Sequence, residues 1–186
     1  MEAITSATVA PRWPSYRDPM KWYVVYTRPR HERTVCERLL RDGFESWLPL
    51  AIVWRATKGE PRKASTPLFP RRLFVRCYLE MYNLLELVTT PGVIRLMVDE
   101  HGRFVVIPDE EVVLLRRLCE AEVAVEAATS GCPGVRGQVV GGPLAGITGV
   151  IRSDHPKELL IPMQTLKEYV TVAIGEGEVL PVSVGE

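Results

Sequence analysis

Two prolines bracket an aromatic and then hand the chain to a pair of arginines and an apolar run, Pro67-Leu68-Phe69-Pro70-Arg71-Arg72-Leu73-Phe74-Val75-Arg76. Proline removes a ladder donor from a strand, so Pro67 and Pro70 belong at a strand entrance, bulge or edge, never in a central strand. This placement predicts that Phe69 is presented to a partner, while Phe74 and the earlier Trp22 read as core.

Around that block the chain alternates strand and helix signals. Trp22-Tyr23-Val24-Val25-Tyr26 is a short aromatic and β-branched strand, and Pro29 suits the first turn of a helix over residues 30–42 that Gly43 caps. Trp47 to Trp54 and Leu68 to Leu79 read as the two arms of a long hairpin with a basic tip. A short helix at Met81 to Val88, a strand at Val93 to Val98 and a helix at Asp109 to Glu120 follow. That last helix has three acids in its first turn and Arg116 and Arg117 near its end, as the macrodipole favours. The order βαββαβα predicts an α+β domain, an antiparallel sheet with helices packed on it.

Residues 121–134 pass into Ser, Gly and Pro and read as a linker, after which the pattern shortens. Val135–Val140, Ile147–Arg152, Glu158–Pro162, Tyr169–Ile174 and Glu178–Val182 are five β-like segments between turn residues. Five short strands of this size predict a small SH3-like barrel, with Gly142, Gly146 and Gly149 supplying its tight turns and Ile147, Val150, Leu159 and Ile161 its core. Pro143, Pro156 and Pro162 oppose any long helix here.

Charge is unevenly spread. The formal net charge is zero, yet Lys plus Arg outnumber Asp plus Glu by 17 to 13 over residues 21–120 and trail by 4 to 8 over residues 121–186. Arg55, Lys58, Arg62, Lys63, Arg71, Arg72 and Arg76 face only Glu60 within residues 55–76. Such a cluster suits a phosphate backbone or an acidic protein surface, and equally a solvated basic hairpin.

Several classes are excluded. No apolar run approaches the roughly 20 residues of a membrane span, and residues 1–20, with Pro11, Pro14 and Pro19, read as a flexible tail, not a signal peptide. Cys36, Cys77, Cys119 and Cys132 show no CxxC spacing, which indicates neither a zinc site nor a redox pair and points to the reduced cytoplasm. His31, His101 and His155 stand in no ligand or triad spacing and no Gly-rich phosphate loop follows a strand, so no metal, no cofactor and no enzyme is expected.

Trp22 to Glu32, the Pro67–Pro70 block with Leu73-Phe74-Val75, Thr90-Pro91-Gly92-Val93 and Gly142 to Val150 together resemble the NusG family of transcription elongation factors over residues 21–184. The resemblance implies a tail (1–20), an NGN domain (21–120), a linker (121–134) and a KOW barrel (135–186). The tail and basic hairpin resemble the specialised paralogues of the RfaH, UpxY or LoaP kind. It implies a cytoplasmic, monomeric elongation and antitermination factor that binds the clamp helices of the largest RNA polymerase subunit. Tyr26, Phe69, Pro70 and Phe74 fall on the polymerase-binding motifs. Where the family has a small residue then Tyr, this chain has Arg71-Arg72. Arg28, Arg30, His31 and Arg33 match a stretch that contacts the non-template DNA strand, with Arg71 and Arg72 as further candidates for DNA or nascent RNA. The same stretch also reads as an exposed cationic helix face paired with Glu32 and Glu37. The polar polymerase-contacting loop of RfaH-like relatives has no counterpart at Asn83-Leu84-Leu85-Glu86. The barrel's partner is implied to be a ribosomal protein, a termination factor or RNA; its net charge of −2 over residues 135–186 favours protein. The rival reading is an RNA- or ribosome-binding KOW protein without polymerase contact.

Overall fold

The computed structural model describes residues 19–57, 60–121, 123–131, 134–175 and 179–181. Most of the expected tail, the hairpin tip at Lys58 and Cys132 lie outside the described residues.

Strand β1 (Lys21–Thr27) is buried on both faces. Trp22 and Val24 enter one apolar cluster, and Tyr23 and Val25 enter the other. Alternating side chains of a strand point to opposite faces, so only a continuous apolar run fits such a position. Helix α1 (Glu32–Arg41) lays Val35, Cys36 and Leu39 on the Tyr23 side. After β2 (Glu45–Trp47), the hairpin strands β3 (Leu50–Thr57) and β4 (Glu60–Pro67) pair with each other in a separate two-stranded sheet. β5 (Arg72–Cys77) then returns to the main sheet between β2 and β1. α2 (Met81–Thr89), β6 (Val93–Leu96), β7 (Val106–Ile107) and α3 (Asp109–Glu120) complete the first half. The sheet runs β2-β5-β1-β6 with β7 also against β1, all antiparallel.

The α+β class stands, and the expected hairpin of Trp47–Trp54 with Leu68–Leu79 forms only in interrupted form: Trp47 pairs with Phe74 in the main sheet, while Leu50–Trp54 pair with Lys63–Pro67 in the separate ladder, before Leu68 is reached. Pro49 separates β2 from β3, and Pro67 and Pro70 separate β4 from β5; each interrupts a ladder, so the chain leaves one sheet and re-enters it. The Leu68 amide donates to the Pro49 carbonyl at 2.9 Å and ties the two crossings together. Helix α1 also begins later than expected. Residues 28–31 form a turn with Arg30 at φ 65°, so Pro29 belongs to the turn and His31 is the N-cap.

The second half holds β8 (Val125–Ala128), β9 (Gly134–Val139), β10 (Thr148–Arg152), β11 (Glu158–Met163), β12 (Glu168–Ala173) and β13 (Val179–Pro181). They form one antiparallel sheet in the order β13-β9-β10-β11-β12-β8, an open path among the described residues and not a closed barrel. β8 lies within the segment read as linker, where Glu122-Val123-Ala124-Val125-Glu126 alternates with period two. Ile147, Leu159 and Ile161 are buried and Val150 is half-buried.

Gly142 and Gly146 sit at φ 71° and 89°, as expected of turn glycines. Gly149 does not: it lies inside β10, where a Cβ would stand 2.7 Å from the Leu160 carbonyl oxygen and 2.8 Å from Leu159 Cγ. Its lack of a side chain lets β11 approach.

The two halves share a core. Val112, Leu115 and Leu118 of α3 join Trp22, Val24 and Phe74 on one side to Leu144, Ile147, Leu159 and Ile161 on the other in one apolar cluster. Polar bonds frame it: Arg117 donates to the carbonyls of Pro143 at 3.1 Å and Ala145 at 2.5 Å, and the Thr165 amide donates to Glu111 at 3.3 Å.

Gly149→Ala should lower the unfolding free energy by about 1–3 kcal/mol through overpacking, read from urea midpoints; an unchanged midpoint would mean that β11 yields freely. Burial pushes the thiol of Cys77 up to about 12 and that of Cys119 up to about 11, and raises Cys36 as well. These three thiols should therefore resist iodoacetamide at mildly alkaline pH in the folded protein and react once it is unfolded, as mapped by peptide mass.

Candidate functional site

The C-terminal end of β1 carries the site. Tyr26 stands opposite Arg72 of β5 on one side and Arg95 of β6 on the other, so Arg72, Tyr26 and Arg95 form a cross-strand row on one face of the sheet. By alternation it is the same face that buries Trp22 and Val24 deeper along the strand. The Arg95 guanidinium lies 4.4 Å from the Tyr26 ring centroid, a cation–π distance. Tyr26 is half-buried and Pro70 exposed.

Arg72 is held from two directions. Its guanidinium carbon is 5.3 Å from the Phe69 ring centroid, and its Nη2 donates to Glu168 Oε1 of β12 at 2.7 Å. Both side chains of that ion pair are only 16% exposed. Arg71 takes φ 64°, a left-handed conformation costly for an arginine. Its amide donates to Glu32 Oε1 at 2.8 Å, and the buried Glu32 thereby pins the turn to the start of α1. Among the described residues the Arg71 side chain has no hydrogen-bond or ion-pair partner. Tyr26, Pro70, Arg71, Arg72, Ile94, Arg95 and Glu168 together line an open cavity of about 400 Å³.

Phe69 departs from its expected presentation. It is 1% exposed, its ring tilted against Phe74 at 6.4 Å, and Phe74 in turn packs on Trp47 at 5.5 Å. The prolines do end the ladder, but the turn they permit, closed by the Arg72 amide on the Phe69 carbonyl at 3.3 Å, lays the ring inward under Arg72. Phe74 and Trp22 are buried as expected.

Arg28, Arg30 and His31 on the β1–α1 connection and Arg33 in the first turn of α1 are all exposed. The Arg28 amide bonds the Gly92 carbonyl at 2.8 Å, His31 Nδ1 donates to the Pro29 carbonyl at 3.0 Å, and Arg33 donates to the Ser65 carbonyl at 3.2 Å. Gly92 is required there: at φ 101°, a Cβ would meet Val35 Cγ2 at 2.7 Å. The basic cluster of residues 55–76 is partly neutralised, because Arg72 pairs with Glu168 and Arg76 lies 3.6 Å from Glu45 and 3.9 Å from Asp109. The side chains of Arg55, Lys58, Arg62 and Lys63 lie outside the described residues.

Sequence reasoning missed Arg95 and Glu168. Arg95 had a signal, a lone charge in a short apolar strand; Glu168 is 96 residues from Arg72 and had none. Among the described residues no cluster of His, Cys, Asp and Glu is placed to hold a metal ion.

A mixed α+β domain of this form is of the kind found in transcription factors of the NusG type. The family model described as "Transcription termination factor nusG" matches residues 20–116, just over half of the chain, and the chain belongs to the NusG family. The solved structure "Domain interaction in Thermotoga maritima NusG" is similar at 21% identity and a TM-score of 0.59, over 88% of this chain and 98% of that one. The MjSpt4:Spt5 complex in conformation A matches at 14% identity and a TM-score of 0.29, over 87% and 98% of the two chains. A search of the curated proteins gives no match.

Truncating the buried Phe69 to Ala should destabilise the protein by about 3–5 kcal/mol. A loss below about 1 kcal/mol in urea denaturation would return Phe69 to the surface.

Proposed function

We propose that the chain is a non-enzymatic, cytoplasmic and monomeric elongation and antitermination factor of the specialised RfaH, UpxY or LoaP kind. It binds the clamp helices of the largest RNA polymerase subunit through its first domain and reduces pausing or termination. The observation that carries this reading is the Tyr26–Pro70 surface at the sheet end, set above the buried Phe69–Phe74 pair in a chain of the NusG family. A helix laid into a groove is recognised by such aromatic anchors. Tyr26 and Pro70 supply the contact, and Phe69 and Phe74 support it from beneath. The second sheet acts as a KOW module that couples to a ribosomal protein or a termination factor. In the packed arrangement Glu168 reaches over the row, so engagement of the clamp helices requires the second sheet to withdraw. The exposed Arg28, Arg30, His31 and Arg33 then meet the non-template strand, with Arg71 beside them.

Retention of purified clamp helices tests this reading. Tyr26→Ala, which removes a half-buried ring, should weaken binding by about tenfold while leaving the urea midpoint near that of the parent; no retention of the parent protein would overturn the reading. Single-strand affinity should fall with log salt at a slope of about −0.7 per phosphate engaged, and replacing Arg28, Arg30 and Arg33 with Gln should flatten that slope.

A further inference from the structure

The cavity at the sheet end holds three guanidiniums, those of Arg71, Arg72 and Arg95, and a single carboxylate, that of Glu168. Glu168 belongs to the second sheet, 96 residues away in sequence, and sits on Arg72 at 2.7 Å. It is therefore an acid supplied by one protein surface to a basic recess on another. Arg95 spends its charge on the Tyr26 ring and the Leu96 carbonyl, and Arg71 has no side-chain partner among the described residues.

A partner that covers Tyr26 and Pro70 must also cover Arg72, which lies directly opposite Tyr26 across the strands. A guanidinium covered without a counter-charge leaves an uncompensated buried charge, which is strongly unfavourable. Any partner that displaces Glu168 and then re-covers the same spot has to bring an acid of its own. We infer that Arg72 exchanges carboxylates: Glu168 in the packed arrangement, and an acidic side chain of the bound protein helix in the complex, with Arg71 taking a second acid beside it. The inference rests on the proposed polymerase contact and adds the chemistry of the bound face, an acidic one. Arg71-Arg72 thus replace an aromatic contact with a charge-selective one, and the same arginine makes packing and partner binding mutually exclusive. By linkage, the two acids compete for one site, and weakening either bond strengthens the hold of the other.

The two bonds are separable because Glu168 takes part only in the first and Arg72 in both. Full-length protein is titrated with a fragment of the polymerase largest subunit that carries the clamp helices, using the parent, Glu168→Gln, Arg72→Tyr and the double variant Glu168→Gln with Arg71→Gln. Removing the internal competitor in Glu168→Gln should tighten binding several-fold. Arg72→Tyr breaks the same internal bond and restores the family's aromatic, yet should bind about tenfold more weakly than Glu168→Gln, because the partner's acid has lost its receiver. The double variant should bind about threefold more weakly than Glu168→Gln and with a shallower salt dependence. Arg71 is exposed and its side chain unpartnered among the described residues, so this arm holds even where Arg72→Tyr disturbs the fold as judged by circular dichroism. Binding by Arg72→Tyr as tight as by Glu168→Gln, with no effect of Arg71→Gln, would reduce Arg72 to an internal clasp and overturn the inference while leaving the polymerase reading intact. Binding by no variant would overturn that reading and the inference with it. Arg71- and Arg72-dependent capture of a single-stranded oligonucleotide, with the helices unaffected by either change, would assign the recess to phosphate and overturn the acidic-helix inference.

Discussion

Trp22 and Val24 face one side of β1 and Tyr23 and Val25 the other, and both sides are sealed from water. A strand in that position cannot slip by one residue, because the slip would carry each set to the opposite face and into a core shaped for the other. The register Tyr23↔Val75 and Val25↔Leu73 with β5 is fixed by this condition, and so is Val25↔Leu96 with β6. It also dictates the layers. α1 and Leu87 of α2 cover the Tyr23 side, while α3 and the second sheet cover the Trp22 side. The second half of the chain is thus the outer layer of a core that the first half begins.

The site exists because that arrangement runs out. Four residues along the strand Val24 is fully buried, but at Tyr26 the cover thins, and the apolar face becomes a row of Arg72, Tyr26 and Arg95. Arginine suits such a margin: its weakly hydrated, flat guanidinium lies on aromatic faces while keeping donors for an acid. Arg72 does both, on Phe69 and to Glu168, and a lysine could not satisfy the two demands with one planar group. The left-handed Arg71 is the strained part, and its cost is offset by the buried Glu32, whose carboxylate accepts the Arg71 amide.

Local signals carried most of the elements. β1 was legible from its aromatic and β-branched run, α3 from acids at its start and arginines at its end, and five strands of the second sheet from alternation between turn residues. The residues that identify the family were legible too, since they are short local blocks. What failed depends on distant partners. Pro67 and Pro70 announce a break but not that the chain changes sheet there, so the outer ladder of β3 with β4 is not legible as a sheet of its own, whereas the pairing of Trp47 with the Phe74 strand is. The same prolines suggest a presented Phe69, whereas the fate of its ring is decided by Phe74, Trp47 and Arg72. β8 was hidden because a strand of four residues beside a Gly-Pro segment acquires its meaning only from β12.

The neutral total charge conceals two halves of opposite sign, and their meeting divides the work of holding them together. The α3 seam, with Leu115 and Leu118 fully buried, supplies the non-directional attraction, which grows with apolar area and ignores register. Arg117 on two carbonyls and Arg72 on Glu168 supply direction. A partly buried ion pair yields little net attraction once desolvation is counted, but a wrong register would leave both charges covered and unpaired. The pair therefore acts chiefly on which packing is chosen and only slightly on how tightly it holds. On the proposed exchange, that division assigns the two contacts different roles: the apolar seam sets most of the cost of withdrawing the second sheet, the Arg72 pair adds little to it, and the seam re-forms the same packing when the competitor leaves.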